Sequence, residues 1–208
     1  EAISYYAFQR ERNGILSQKY FDKALLLARK ALKLKPNIAE AHRAFSWYFL
    51  ASGLHGYASL KAKHALKRNP SDPESSFLLW ASTENDNIYS ANLKKAIKSN
   101  FILALLNAGS LARRNGDYNK ALYYFTQVTK LIPNHIHALV NIGNVYLKLK
   151  NYDNSKKYYL KALNLQKNDS YVYFNYAAMY VSMRQYRDAE DYYKKAVKIN
   201  PNFILAHR

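Results

Sequence analysis

The sequence contains no cysteine, which excludes disulfide frameworks, zinc-thiolate sites and a cysteine nucleophile while leaving the compartment open. It has no apolar run near the roughly 18 residues that a membrane crossing needs, and its opening EAISYYAFQRER lacks a signal-peptide layout. The expectation is a soluble chain, of the cytoplasm first and with the periplasm also compatible. Acidic residues are scarce: 14 Asp plus Glu stand against 32 Lys plus Arg. They are too few and too scattered for paired-carboxylate acid–base chemistry. No nucleophile elbow or phosphate-cradling glycine loop occurs among the six glycines. The six histidines, His42, His55, His64, His135, His137 and His207, show no ligand spacing, and residues two apart, as His135 and His137 are, fall on different sides of a helix. No catalytic residue, metal or cofactor is expected within these residues.

What is present is an apolar fraction of 49%, ample for a folded protein, and a formal charge of +18. Such a charge means long-range attraction to something acidic and says nothing about fold. The chain also repeats itself. A shift of 34 residues superposes Ala108 and Gly109 on Ile142 and Gly143 and then on Tyr176 and Ala177. The same shift aligns Ala121, Ser155 and Ala189, then Phe125, Tyr159 and Tyr193, then Val128, Ala162 and Ala196. A fixed period of that length is the mark of a stacked solenoid, in which length counts repeats rather than domains.

This order of a small pair, an aromatic, a small residue, an aromatic, an alanine and a proline resembles the tetratricopeptide repeat family over almost the whole chain. The resemblance implies an all-α fold, a right-handed α-solenoid of antiparallel helix pairs. Six repeats are expected, at 5–35, 38–69, 71–100, 102–132, 136–167 and 170–200, with a truncated seventh beginning at 204–208. Pro36 and Pro70 close the first two, since proline cannot continue a helix. In the first repeat Glu11 and Arg12 replace the apolar-small pair. The third repeat matches least well: Pro70 to Phe101 spans 31 residues rather than 34, which points to a shortened turn at 84–87 and a kink or seam there. Later turns contain Gly116-Asp117-Tyr118, Lys150-Asn151-Tyr152 and Arg184-Gln185-Tyr186, where Gly and Asn are expected to supply the unusual backbone angles and the Tyr to pack beneath the turn.

Tyr146, Tyr180, Tyr159, Tyr193, Phe125 and Phe49 recur at helical spacing and are assigned to packing. Asn107, Asn141 and Asn175, each 34 apart and just before its small pair, stand in the column that lines the concave surface in this family. An Asn amide can pair with both the N–H and the C=O of one peptide unit. The column is therefore a candidate ladder for an extended partner segment. Leu103, Leu106, Val140, Phe174 and Val181 offer an apolar strip around it, with His137, Asn144, Lys148, Arg113 and Arg114 as nearby polar anchors and basic rim, which suits a segment of some acidic character. Tyr6, Gln9, Asn13, Arg43 and Trp47 occupy the equivalent face nearer the N-terminus, with Trp47 the candidate hot spot. The family's clamp for the acidic tail of heat-shock chaperones is not expected, because Val140 and Asn144, or Leu106 and Ser110, stand where it needs Lys and Asn.

A basic edge is formed by Lys33, Lys67, Lys98, Lys130 and Lys198 near the ends of second helices, broken at Asn164, with Lys30, Lys95, Lys161 and Lys195 one turn earlier. Cations there are stabilised by the helix macrodipole, which explains them without a ligand. The expected role is a non-enzymatic scaffold for a protein or peptide. The alternatives are nucleic-acid or anionic-surface binding along the lysines, which lacks interleaved exposed aromatics, and a repeat arm of a larger enzyme such as a glycosyltransferase.

Overall fold

In the computed structural model, residues 16–83 and 90–201 are described, with side chains from residue 22 onward. The expected shortened turn at 84–87, the polar pair Glu11 and Arg12, the residues Tyr6, Gln9 and Asn13 and the start of a seventh repeat lie outside them.

Eleven α-helices and no strand occur among the described residues. They are α1 (Leu16–Leu34), α2 (Ala39–Ala51), α3 (His55–Arg68), α4 (Pro73–Thr83), α5 (Ala91–Lys98), α6 (Ile102–Arg114), α7 (Tyr118–Leu131), α8 (Ile136–Lys148), α9 (Tyr152–Leu165), α10 (Ser170–Ser182) and α11 (Tyr186–Ile199). Helices of 13 and 14 residues alternate in α2–α3 and again from α6 to α11, as a constant period requires. The pair α4–α5 is shorter, at 11 and 8 residues. The chain divides into two units, Glu1–Ala104 and Leu105–Arg208.

Within the first unit α2 packs against α1, α3 and α4, and α4 against α5. Within the second, α8 packs on α7, α9 and α10, and α11 closes on α10. Within each unit helices consecutive in sequence, such as α2 with α3 and α8 with α9, pack on one another, as in an all-α solenoid. The small-residue columns explain the close approach. Ala58, Ala62 and Ala65 on α3, Ala121 on α7 and Ala162 and Ala196 on the later second helices are fully buried. A buried Ser46 hydroxyl donates to the Ala58 carbonyl at 2.8 Å, and Ser155 donates to the Gly143 carbonyl at 2.9 Å, so these small polar residues tie the two helices of a pair together. Gly109 and Gly143 lie so near the facing aromatic that an added Cβ would stand 2.6 Å from the Phe125 ring and 2.7 Å from the Tyr159 ring.

The turn chemistry differs from the sequence expectation in one respect. Positive φ falls on Gly116 (78°), Lys150 (57°) and Arg184 (60°), so two bulky side chains hold the left-handed position. Asn151 instead caps α9, its Oδ1 accepting from the Asn154 N–H at 3.2 Å, as Asp117 caps α7 through the Lys120 N–H at 3.1 Å. Gln185, the third member of that column, makes no side-chain cap. Tyr152 donates to the Ser182 carbonyl at 3.2 Å, whereas Tyr186 is exposed rather than packed.

Candidate functional site: the first-helix face of the second unit

The three asparagines are set at one register on α6, α8 and α10, and each is half-buried. The residue that follows each of them, Ala108, Ile142 or Tyr176, is buried. The column therefore borders the core on one side and solvent on the other.

Hydrogen bonds narrow what each amide can offer. Asn175 Nδ2 donates to the Tyr171 carbonyl of its own helix at 2.7 Å, which leaves Oδ1 as its outward acceptor. Asn144 Oδ1 accepts from the Tyr159 hydroxyl at 2.5 Å, which leaves Nδ2 as its outward donor. Tyr159 is itself enclosed, and its burial pushes the phenol far above the ordinary tyrosine range, so it stays a donor at any physiological pH. Each of these bonds engages one atom of its amide, so Asn175 keeps Oδ1 and the second N–H of Nδ2, and Asn144 keeps Nδ2, for further pairing.

Around the column His137, Lys148 and Arg114 are exposed, and Leu106 and Phe174 are half-buried, with Phe174 against Tyr193 at 5.5 Å between ring centroids. Val140 corrects the sequence reading. It is only 1% exposed, inside the core cluster with Leu139, Tyr159, Val172 and Met179, and cannot contribute to a groove. Helical spacing from Ile136 through Leu139, Val140 and Gly143 marks that stripe as core; the family-derived face had placed it outside.

Trp47 is the second correction. At 1% exposure it is no surface anchor: its indole donates to Glu74 Oε1 at 2.6 Å and its ring lies 5.9 Å from Phe77. Arg43 is bound into the same network, with Nη1 2.7 Å from Asp72 Oδ1 and Nε 3.7 Å from Glu74 Oε2. Both residues join α2 to the start of α4 and serve structure. Glu74 was the missed signal: an acid in the first turn of a helix is a ready acceptor for the indole and the guanidinium of the preceding pair.

The lysines assigned to a basic edge lie near the ends of their helices. Lys33, Lys67, Lys98, Lys130 and Lys198 are exposed in the last turns of α1, α3, α5, α7 and α11, and α9 has no such residue. Lys30, Lys95, Lys161 and Lys195 are exposed one turn earlier. Lys95 donates to the Pro70 carbonyl, and Lys195 sits 4.5 Å above the Tyr192 ring. Among the described residues no cluster of His, Cys, Asp or Glu could hold a metal, and no helix is long and apolar enough to cross a membrane.

Helix pairs of 13 and 14 residues, as in α2–α3 and from α6 to α11, with small residues at the pair interface, define a tetratricopeptide-type array. Residues 102–135 match one tetratricopeptide repeat model and residues 134–202 another. Residues 102–202 belong to the tetratricopeptide repeat family. No curated protein matches it significantly in sequence. Its fold is similar to that of PilW, described as a widely conserved type IV pilus biogenesis factor (14% identity, TM-score 0.76, 99% of this chain and 96% of that one). It is also similar to PilF of Pseudomonas aeruginosa (17%, 0.71, 99% and 94%). A third similar structure is YrrB, a tetratricopeptide protein described as having an unusual peptide-binding site (16%, 0.61, 86% and 95%). At such identities the likeness is one of fold.

Proposed function

We propose that the chain is a non-enzymatic scaffold whose second unit grips an extended or helical segment of a partner protein along the first-helix face of α6, α8 and α10. The observation that carries this is the column of three half-buried asparagines in identical register, placed against core rather than in open solvent. A polar side chain held at such a border is pre-oriented, so less freedom is lost when a peptide pairs with it. Asn175 Oδ1 takes a peptide N–H and Asn144 Nδ2 a peptide C=O, while Asn107 and Asn141 complete the run. Leu106 and Phe174 receive apolar side chains of the segment. Exposed His137, Lys148 and Arg114 give the rim a preference for acidic flanks, which act mainly on association rate. The peptide-binding description of YrrB fits this reading, and the pilus role of PilW is compatible with a scaffold of the same kind.

Peptide display against the whole chain tests the proposal. Selected peptides should bind an N141A/N175A variant at least about tenfold more weakly, about 1.4 kcal/mol, with unchanged helical circular dichroism. Selected peptides whose affinity is the same for both proteins would remove the groove from consideration. Binding that instead collapses between low and moderate salt would assign the activity to the lysines.

A further inference from the structure

The first unit contains a cavity of about 690 Å³ lined by His42 on α2 and by Lys61, His64, Lys67 and Arg68 on α3, with Pro36 and Asn37 of the preceding loop at its margin. No acidic side chain is among these lining residues. His42 and His64 meet edge to face, with centroids 5.3 Å apart, and Lys61 Nζ stands 5.5 Å from the Phe45 ring. His42 is only 8% exposed, and its Nδ1 is buried with no hydrogen-bond partner among the described residues.

Packing accounts for only part of this. The macrodipole explains Lys67 and Arg68, which lie in the last turn of α3. It does not explain Lys61 and two imidazoles gathered beside them with no counter-charge. Nor does it explain an orphaned ring nitrogen, since buried polar atoms are nearly always paired. The proton affinity of His42 is lowered by burial and then by Lys61, His64 and Arg68, against a smaller opposing contribution from the Pro36 backbone, the response of a site with an excess of positive charge.

We propose that this cavity binds a small solute carrying a multiply charged phosphate group, a phosphate ester or pyrophosphate. Three permanent cations and two imidazoles exceed what one carboxylate can balance. A phosphate group with two or more charges matches them, and its several oxygens suit a guanidinium fork together with two ammonium donors. With the anion present, His42 Nδ1 takes a proton and becomes a donor, which removes its orphaned state. The volume is that of a small-molecule site, with room for a pyrophosphate and part of its carrier. The site is independent of the asparagine column, which belongs to the other unit, so either reading stands or falls without the other.

The test titrates sodium pyrophosphate, orthophosphate and acetate into the full chain at low salt, by calorimetry and by NMR of the histidine rings. Saturable one-to-one binding is expected in the order pyrophosphate, phosphate, acetate, with the His42 and His64 resonances moving together. Lys61→Met with Arg68→Met should weaken pyrophosphate at least about tenfold, whereas Lys98→Met with Lys130→Met, outside the cavity, should change it less than about twofold. Melting curves establish that both variants are folded. Unsaturable binding, equal losses in the two variants, or unmoved His42 resonances would overturn the proposal. So would tighter binding of a short oligonucleotide that both variants lose alike, which would mark a diffuse nucleic-acid surface instead.

Discussion

At Gly143 there is no room for a methyl group. Its added Cβ would meet the Tyr159 ring at 2.7 Å, and that ring is fully buried with its hydroxyl fixed on Asn144, so it has little room to swing away. Gly143→Ala should therefore cost about 1–3 kcal/mol in denaturant unfolding, with Gly109→Ala against Phe125 similar. The same column holds a buried Ala177, and Tyr193, which stands 34 residues after Tyr159, is only half-buried. At the turns the opposite holds. Lys150 and Arg184 occupy left-handed backbone that glycine adopts without a Cβ penalty. Changing either to Gly should raise stability by about 0.5–1 kcal/mol, net of glycine's extra unfolded-state freedom. Gln185 has nearly the backbone angles of Asn151 without its cap. Gln185→Asp should supply one and gain about 1 kcal/mol, and a melting temperature that does not move would show that α11 is not limited at its start.

At the level of the element, the junction of α2 with α4 depends on one buried carboxylate. Asp72 Oδ1 receives Arg43 at 2.7 Å while Oδ2 receives the Ser75 N–H at 2.8 Å, so the same group pairs a cation and caps a helix. Asp72→Ala leaves a nearly buried guanidinium short of its nearest counter-charge and should cost roughly 3 kcal/mol, whereas Lys120→Ala, which breaks an exposed pair, should cost under about 0.5. Equal losses would mean that the pairing carries no special weight. This junction also marks the limit of what the sequence alone could tell. The columns of small residues and aromatics, and with them the helix pairs, are legible from a period of 34, because each column repeats one local environment. Trp47 is not legible in that way: its acceptor lies 27 residues on, in the pair that departs from the period, and only packing brings the two together. Val140 shows a conflict between two rules. Its column also holds Leu106 and Phe174, which stay half-buried, yet spacing along α8 marks it as core, and the core stripe prevailed.

For the molecule as a whole, charge decides how stability responds to solution conditions. A formal +18 is self-repelling, and exposed ion pairs such as Lys120 with Asp117 and Lys194 with Glu190 offset little of it. Raising salt from about 50 to about 500 mM should therefore raise the melting temperature, as repulsion between exposed cations is screened. Acid should act in the opposite sense. His42 and His135 both bind protons less readily in the folded chain than the ordinary value of 6.5, His42 through burial and neighbouring cations, His135 through burial and then His137. The unfolded chain therefore takes up protons first as pH falls through about 6.5, and stability declines from there until the lowered folded values are passed. His135 has a structural reason to lose most: its Nδ1 accepts the Ala138 N–H at 3.2 Å as the cap of α8, and a proton on that nitrogen ends the bond. His135→Asn keeps a capping acceptor and does not titrate. Melting temperatures of the two proteins between pH 7.5 and 5.5 should thus diverge, the natural chain falling more steeply and the variant retaining part of the difference. Parallel curves would place the acid sensitivity in His42 or in the general repulsion, and added salt separates those two, since it screens the exposed cations and leaves the burial of His42 untouched.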